Sequence, residues 1–411
     1  MNRLRYSAAL LTLLTLLAPL TGGALAQTGN VSDGVVRIGL ILDMSGPYSD
    51  ITGEGSVVAA RMAVEDFGGK VLGRPIDVVY ADHQNKADIS ANKAREWFDQ
   101  GKVDALMDVA ASATALSAVE VVKQKQKIAI FNGPATTRLT NDACSPYTVH
   151  WTYDTYSLAN VTGKAIVKNG GRNWYFVTAD YAFGHSLEKD TADVVRADGG
   201  KVIGSTRHPL NAPDMSSSIL AAQGSGAQII GLANAGTDFI NSLKAANEFG
   251  ITKSRKQSLA GLLVYINDIH SLGLPTTQGL LLTEAFYWDL NDDTRRWSKR
   301  FFERVKRMPN MSQAGVYSST MHYLRAVQAA GTDETAAVMK QMRATPVNDF
   351  FAKNGRIRED GRFLHDMYLF EVKAPEQSTS PWDYYTLRGT VPAAQAFQPI
   401  ERSTCPLVAK K

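Results

Sequence analysis

The sequence predicts an α/β fold: two similar lobes, each a parallel sheet with helices on both faces. Three observations carry this reading. Short apolar, β-branched runs alternate with stretches of helical period, the signature of a covered parallel sheet. The alternation passes through four strands, breaks off, and starts again for four more. A chain of 411 residues is also long enough for two domains.

The elements follow in order. Residues 1–26 are set aside as a leader, with Arg3 and Arg5, an apolar stretch from about Ala8 to Leu20, and the small-residue end Ala24-Leu25-Ala26. This is the pattern of a cleaved secretory signal. Thr12, Thr15 and Pro19 interrupt the apolar run, which falls short of the roughly 20 residues a membrane span needs. The mature chain is expected to start near Gln27. Strands are then predicted at VVRIGLIL (35–42), IDVVYA (76–81), VDALMDV (103–109) and KIAIF (127–131). Ala60, Ala63, Val64 and Phe67 repeat at helical spacing, with Arg61 and Glu65 one turn apart on the outer face. A second helix starts at an Asp88 cap and closes before Gly101, and a third spans about Ala115 to Gln126.

The second series of strands is NWYFVTA (173–179), KVIG (201–204), AQIIGLA (227–233) and SLAGLLVY (258–265). Helices are expected near Ser186–Ala197, Met215–Gln223 and Asp238–Phe249. A fifth run, GLLLTEAFYW (279–288), leads into helical stretches at Thr294–Met308 and Val316–Ala330. Residues 362–372 and 382–389 read as two closing β segments.

Composition removes several functions. The formal charge is +4 and no basic cluster stands out, so nucleic acid and anionic membrane surfaces are not expected partners. Gly-x-Ser-x-Gly, His-Glu-x-x-His and Walker A patterns are absent, and the seven histidines are scattered. Gly53-Glu54-Gly55 opens a helix after a strand, but Val58 occupies the third glycine position of a dinucleotide loop. No cofactor or metal is expected. Cys144 and Cys405 are the only cysteines. In an exported chain they are expected to pair and clip the C-terminal tail onto the middle of the chain; two unrelated buried thiols are the alternative.

Ligands of open parallel sheets sit beyond the carboxyl ends of the strands. Here those loops include DMSGPYSDITGEG (43–55), AASAT (110–114), NGPATT (132–137), DYAFGH (180–185) and NAGT (234–237), all with few charges. Ser112 and Thr114 fall where the third helix begins, a place for helix capping or for an anion. A second loop of small donors follows the adjacent strand, so the two could surround one carboxylate. Tyr48, Tyr181 and Phe183 at strand ends suggest a flat apolar ligand. Tyr287 ends the fifth run near a crossover, and His185 reads as a surface residue.

IGLILDMSGPYSDITGEG, AASATALSAV, NGPATTRLT, DYAFGHSL and QAGVYSSTMHYLRAV, in that order, resemble the periplasmic solute-binding proteins of branched-chain amino-acid-type ABC transporters. The resemblance implies two α/β lobes joined by three crossings around a ligand cleft. It assigns residues 27–149 plus about 280–355 to one lobe, and 150–279 plus about 356–411 to the other. It implies a soluble, monomeric periplasmic binder that delivers a small molecule to an inner-membrane permease without chemistry. By position, Ala111, Ser112, Pro134, Ala135 and Thr136 would meet a ligand carboxylate, Ala111 replacing the serine of the amino-acid binders. Phe183 matches a ligand-contacting tyrosine; Tyr153, Asn234, Leu263 and Tyr287 complete the expected contacts.

One departure sets the ligand expectation. Amino-acid binders carry a glutamate for the ligand ammonium where this chain has Leu262, Leu263 and Val264. An ammonium facing leucine loses its water without a partner, costing several kcal/mol. The expected ligand is therefore a carboxylate without an α-ammonium; FYWD (286–289) and WDYY (382–385) resemble subfamily members that take aromatic acids, which implies a benzoate or cinnamate type. The alternatives are an amino acid or amide with Asp180 or Asp268 as replacement acid, and a sensory module that reports ligand to a regulator.

Overall fold

The computed structural model describes residues 30–254 and 256–409; the expected leader lies outside the described residues. The first sheet has the order β2-β3-β1-β4-β5-β6, with β1 Val36–Leu42, β2 Lys70–Val71, β3 Arg74–Asp82, β4 Ala105–Val109, β5 Ile128–Phe131 and β6 Thr148–His150. All its pairs are parallel except β2 with β3. Side chains alternate across it. Ile38, Leu40 and Leu42 pack in one cluster with α1 (Gly53–Phe67) and helix Met311–Ala330. Ile41 and Leu106 pack in another with α2 (Ala87–Asp99) and α3 (Ser112–Lys125).

The second parallel sheet, β10-β9-β7-β8, comprises β7 Asn173–Ala179, β8 Lys201–His208, β9 Ile229–Ala233 and β10 Ser258–Gly261. Its two faces are again separate. Phe176 packs with Phe183, Leu187 and Val195, and Val177 with Ile219, Phe239 and Leu243. A third sheet is antiparallel, β11-β14-β15, formed by β11 Leu281–Glu284, β14 Met367–Val372 and β15 Tyr385–Val391.

Several expectations are corrected at the ends of elements. The fifth run is a strand only to Glu284. Ala285 and Phe286 already pack with α1 and helix Met311–Ala330. Residues 258–265 leave the sheet at Gly261, because Tyr265 caps the next helix, Ile266–Leu272. Residues 362–372 split: β13 Phe363–Leu364 pairs with β12 Arg356–Ile357, and the chain joins the third sheet only at Met367. That hairpin sits beside β6, where His150 N donates to Gly361 O at 2.9 Å. Helix α2 is capped by Lys86, which leaves Asp88 in its first turn. Glu65 pairs with Arg304 at 2.8 Å, while Arg61 lies over the Tyr80 ring, so tertiary partners displace the expected helix pair.

The chain crosses between its halves after β6, after β11 and after β13, and Arg362 stitches two of these crossings together. It is fully buried. Its guanidinium donates to Trp151 O at 2.5 Å, Tyr153 O at 2.9 Å and Phe363 O at 3.1 Å, with Asp154 Oδ2 at 3.5 Å. Phe397 lies against its face, 4.6 Å away. His365 adds a bond to Thr152 O at 2.8 Å. Burial, then the nearby Arg362 charge, pushes His365 down to about 4 and His150 well below the usual imidazole range. Both rings are thus neutral near pH 7 and do not repel the guanidinium. The tail then returns to the first half, where Cys405 is bonded to Cys144 and Thr404 N donates to Asn141 Oδ1 at 2.9 Å.

Two stability outcomes follow. Arg362→Met removes the guanidinium from the Tyr153 and Phe363 carbonyls, leaves Trp151 O only a 3.3 Å contact with His365 Nε2 and Asp154 without its buried counter-charge, and should lower unfolding free energy by about 3 kcal/mol in urea titration. A loss under about 1 kcal/mol would show that water replaces the guanidinium. Cys405→Ser opens a loop of 261-residue separation and should cost about 2–4 kcal/mol with helix content unchanged. An unchanged urea midpoint would mean that the tail's hydrogen bonds suffice.

Candidate functional site

The site is built from the loop that follows β1. Asp43, fully buried, organises it: Oδ1 accepts from Gly46 N at 2.6 Å, and Oδ2 from Tyr48 N at 2.8 Å and Asn85 Nδ2 at 2.5 Å. A carboxylate that collects backbone N–H groups fixes a loop that has no ladder of its own. The outcome is a set position for Tyr48, Ile51 and Thr52.

The second piece is the junction of β4 and α3. Ala111 is the N-cap, with φ 65° and ψ 146°, a conformation that costs an L-residue energy and is held by its surroundings. No side chain caps α3. The Thr114 hydroxyl turns back onto Ala110 O and Ala111 O instead of serving the helix end. Ser112 Oγ accepts from Ala135 N at 3.4 Å and Thr136 N at 3.2 Å. A hydroxyl that already accepts two N–H groups keeps its own proton to donate. The third piece is loop 132–136. Pro134 lacks an N–H, and its carbonyl is engaged by His150 Nε2 at 2.8 Å, so it contributes only wall.

The second half faces these loops across a closed cleft. Tyr48 and Tyr181 share a hydrogen bond between their hydroxyls. Thr136 Oγ1 meets Ser186 Oγ at 2.7 Å, and Asn310 Nδ2 donates to Asn267 Oδ1 at 3.0 Å. Gly236, at φ +57°, lies so close that a Cβ there would stand 2.5 Å from Pro47 O. Burial raises both tyrosine hydroxyls well above the usual phenol range, so they remain neutral donors.

Between the halves is a small cavity of about 30 Å³. One side is Tyr48, Ile51, Thr52, Ala111, Ser112, Gly133, Pro134 and Ala135; the other is Tyr181, Phe183 and Leu263. That is room for about two waters, well below the roughly 300 Å³ and up of small-molecule sites, so a ligand has to part the walls of this closed form. No lining side chain is charged.

The structure thus brings together Tyr48, Ala111, Ser112, Pro134, Ala135, Tyr181, Phe183 and Leu263. Four expected contacts lie elsewhere. The Thr136 hydroxyl is spent on Ser186, outside the cavity lining. Tyr153 donates to Gly133 O and bonds the Tyr265 hydroxyl, behind the wall. Asn234 Nδ2 is held by Ser242 Oγ at 2.9 Å and His208 Nε2 at 3.1 Å. Tyr287 belongs to the second half's core: its hydroxyl donates to Trp382 O at 3.1 Å and accepts from Tyr384 N. The two replacement acids also miss the cavity. Asp180 is exposed beside His185 and Arg207. Asp268 is buried, accepts from Tyr265 N at 2.9 Å, and is pushed up to about 7 by burial. Ile51, Thr52 and Gly133 were not singled out in the sequence; the small hydroxyl-rich loops containing them were the available signal.

Among the described residues no helix is long and apolar enough to cross a membrane. A periplasmic binding protein of Burkholderia mallei, known as a crystal structure, is 55% identical, covering 91% of this chain and 99% of that one, with a TM-score of 0.89. A protein of Burkholderia xenovorans described as a branched chain amino acid ABC transporter periplasmic ligand-binding protein is 37% identical over 90% of this chain and 99% of its own, with a TM-score of 0.81. An ABC-transporter solute binding protein of Rhodopseudomonas palustris, solved in complex with 3,4-dihydroxy benzoic acid, shares the fold at 18% identity over 88% and 98% of the two chains, with a TM-score of 0.80. A family model described as periplasmic binding protein matches residues 35–378. The chain belongs to the periplasmic binding protein family, as a ligand-binding protein of the ABC-transporter type.

Proposed function

We propose that this protein captures a small aromatic carboxylate of benzoate type in the periplasm and delivers it, as a monomer, to an inner-membrane permease. The carrying observation is the mismatch in the cavity wall. Hydrogen-bond donors are concentrated at Ser112 and the uncapped start of α3, while no lining residue carries a negative charge. A carboxylate gains from such an end. A ring gains from Tyr181, Phe183 and Leu263. No bond is made or broken in this role. Closure is a hinge motion, and a ligand touching both walls stabilises the closed state. The lobes proposed for that motion are residues 27–149 with about 280–355, and 150–279 with the returning C-terminal segments from Met367 onward.

An amino-acid ligand is the competing reading, in keeping with the name of the Burkholderia xenovorans relative. It needs a counter-charge for the ammonium, and the lining offers Leu263 where that charge would stand.

Thermal-shift measurement with benzoate, hydroxybenzoates, leucine, valine and amides separates the two. A ligand at 100 times its dissociation constant adds about 2.7 kcal/mol to folding, so benzoate-type acids should raise the melting temperature. Stabilisation by leucine alone would overturn the reading. Leu263→Glu should lower benzoate affinity at least about tenfold by placing a carboxylate against the ring and its anion. Unchanged benzoate affinity in that variant would remove Leu263 from the site.

A further inference from the structure

A carboxyl stands directly behind this uncharged wall. Asp108, near the end of β4, is fully buried. Its Oδ1 accepts from Asn132 N at 2.9 Å and Gly133 N at 3.0 Å, so it tethers the start of the loop that lines the cavity. Its Oδ2 has no partner. A Cβ built on Gly133 would stand 3.1 Å from that oxygen and 2.9 Å from Thr52 Cγ2. Thr52 and Gly133 both line the cavity, which places the free oxygen one layer behind it.

Nothing around Asp108 supplies a positive charge. Tyr153, the titratable group facing it from the first crossing, donates its hydroxyl to Gly133 O. His83, from the turn after β3, binds Ala110 O through Nε2 and is pushed below the usual imidazole range by burial. Asp43, beyond β1, is occupied by Gly46, Tyr48 and Asn85. Thr52 of the α1 cap, Asn132, and Ser319 of helix Met311–Ala330, which accepts from Asn132 Nδ2, are uncharged. Burial pushes the Asp108 carboxyl up to about 6.

Resting on the reading that the ligand is a carboxylate, we propose that Asp108 is a proton-linked positioning residue: entry of the anion into the cavity is coupled to uptake of up to one proton, depending on pH, from solvent onto Asp108 Oδ2. Two anions one layer apart in a water-poor site repel strongly. A neutral hydroxyl without a partner costs far less than a second buried charge. Protonation leaves Oδ1 free to keep its two N–H groups, so the loop retains its place. A ligand ammonium would act in the opposite sense, holding Asp108 ionised and taking up no proton. Anion affinity should therefore be highest below about pH 6 and fall as Asp108 ionises.

The test is calorimetric titration of the native chain with benzoate in buffers of different ionisation enthalpy. Near neutral pH, uptake of about 0.5 proton per benzoate is expected, with a dissociation constant at least about threefold higher near pH 8 than near pH 6. Asp108→Asn should abolish both the uptake and the pH dependence. Because that variant could misfold, carbon-13 aspartate labelling of the native chain gives a second measurement: the Asp108 carboxyl should titrate near 6 in the free protein and higher with benzoate. Benzoate bound without proton uptake, or an Asp108 titration unmoved by benzoate, overturns the linkage and leaves the carboxylate reading standing. Leucine bound in place of benzoate, with no proton taken up, overturns both.

Discussion

The molecule depends on a buried guanidinium at the place where its two halves are joined. Three carbonyls on two different crossings point at Arg362, and no other group near them can satisfy all three. An arginine suits this position because its planar fork offers five donors in fixed directions and stays charged when buried. At about 10, its own titration is lowered by burial yet remains far from neutral pH. The crossings are thereby held in register with each other, and that register sets how the carboxyl ends of the two parallel sheets face. Tyr48 on one loop and Tyr181 on the opposite one share a hydrogen bond across the cleft between the halves that these crossings join.

The cleft built on that joint has an uneven distribution of charge. Its polar groups are donors: a Ser112 hydroxyl whose acceptor capacity is used by Ala135 N and Thr136 N, and the open start of α3. Its acids are withdrawn. Asp43 sits under its own loop, Asp108 lies behind Gly133, and Asp268 is folded onto the Tyr265 amide. Withdrawing acids behind a wall does not remove their field, because a sparsely hydrated interior screens poorly. An anionic guest feels the donors at contact and the acids at longer range. The difference between those two terms sets its affinity, and Asp108, pushed up to about 6 by burial, is the acid through which pH would adjust the second term.

Much of this architecture is legible in the sequence, and the reasons for the rest are specific. Runs such as residues 35–42 and 227–233 announce buried parallel strands because both faces must be apolar. The loops at strand ends identify one cavity because topology places them together, and this is how Ser112, Tyr181 and Leu263 come to meet. What periodicity cannot reveal is where a side chain spends its hydrogen bonds. Thr136, Tyr153, Asn234 and Tyr287 have the right chemistry and the right neighbourhood, yet each is bound to a protein partner that lies far away in sequence or on the opposite half. The break at His365 is hidden for the same reason: the stretch reads as one strand, but its imidazole is drawn out of the sheet to the Thr152 carbonyl. Asp43 and Arg362 look like ordinary charged residues until their surroundings are known.

The closed cleft also filters by size. The latches between Tyr48 and Tyr181, Thr136 and Ser186, and Asn310 and Asn267 join groups of opposite halves directly, with no space for a ligand atom between them. A guest that separates any of these pairs strands polar groups in a site already short of water, at about 1–3 kcal/mol for each. A guest that fits beneath them keeps every latch and adds its own contacts. With a cavity of about 30 Å³ in the closed form, even a single ring must widen the walls at Tyr48, Tyr181 and Leu263, and the widening grows with each atom added beyond the ring. Gly236 works in the same direction: any side chain there would strike Pro47 O and hold the halves apart, so the tightness that limits the guest is built into the backbone as well as the side chains.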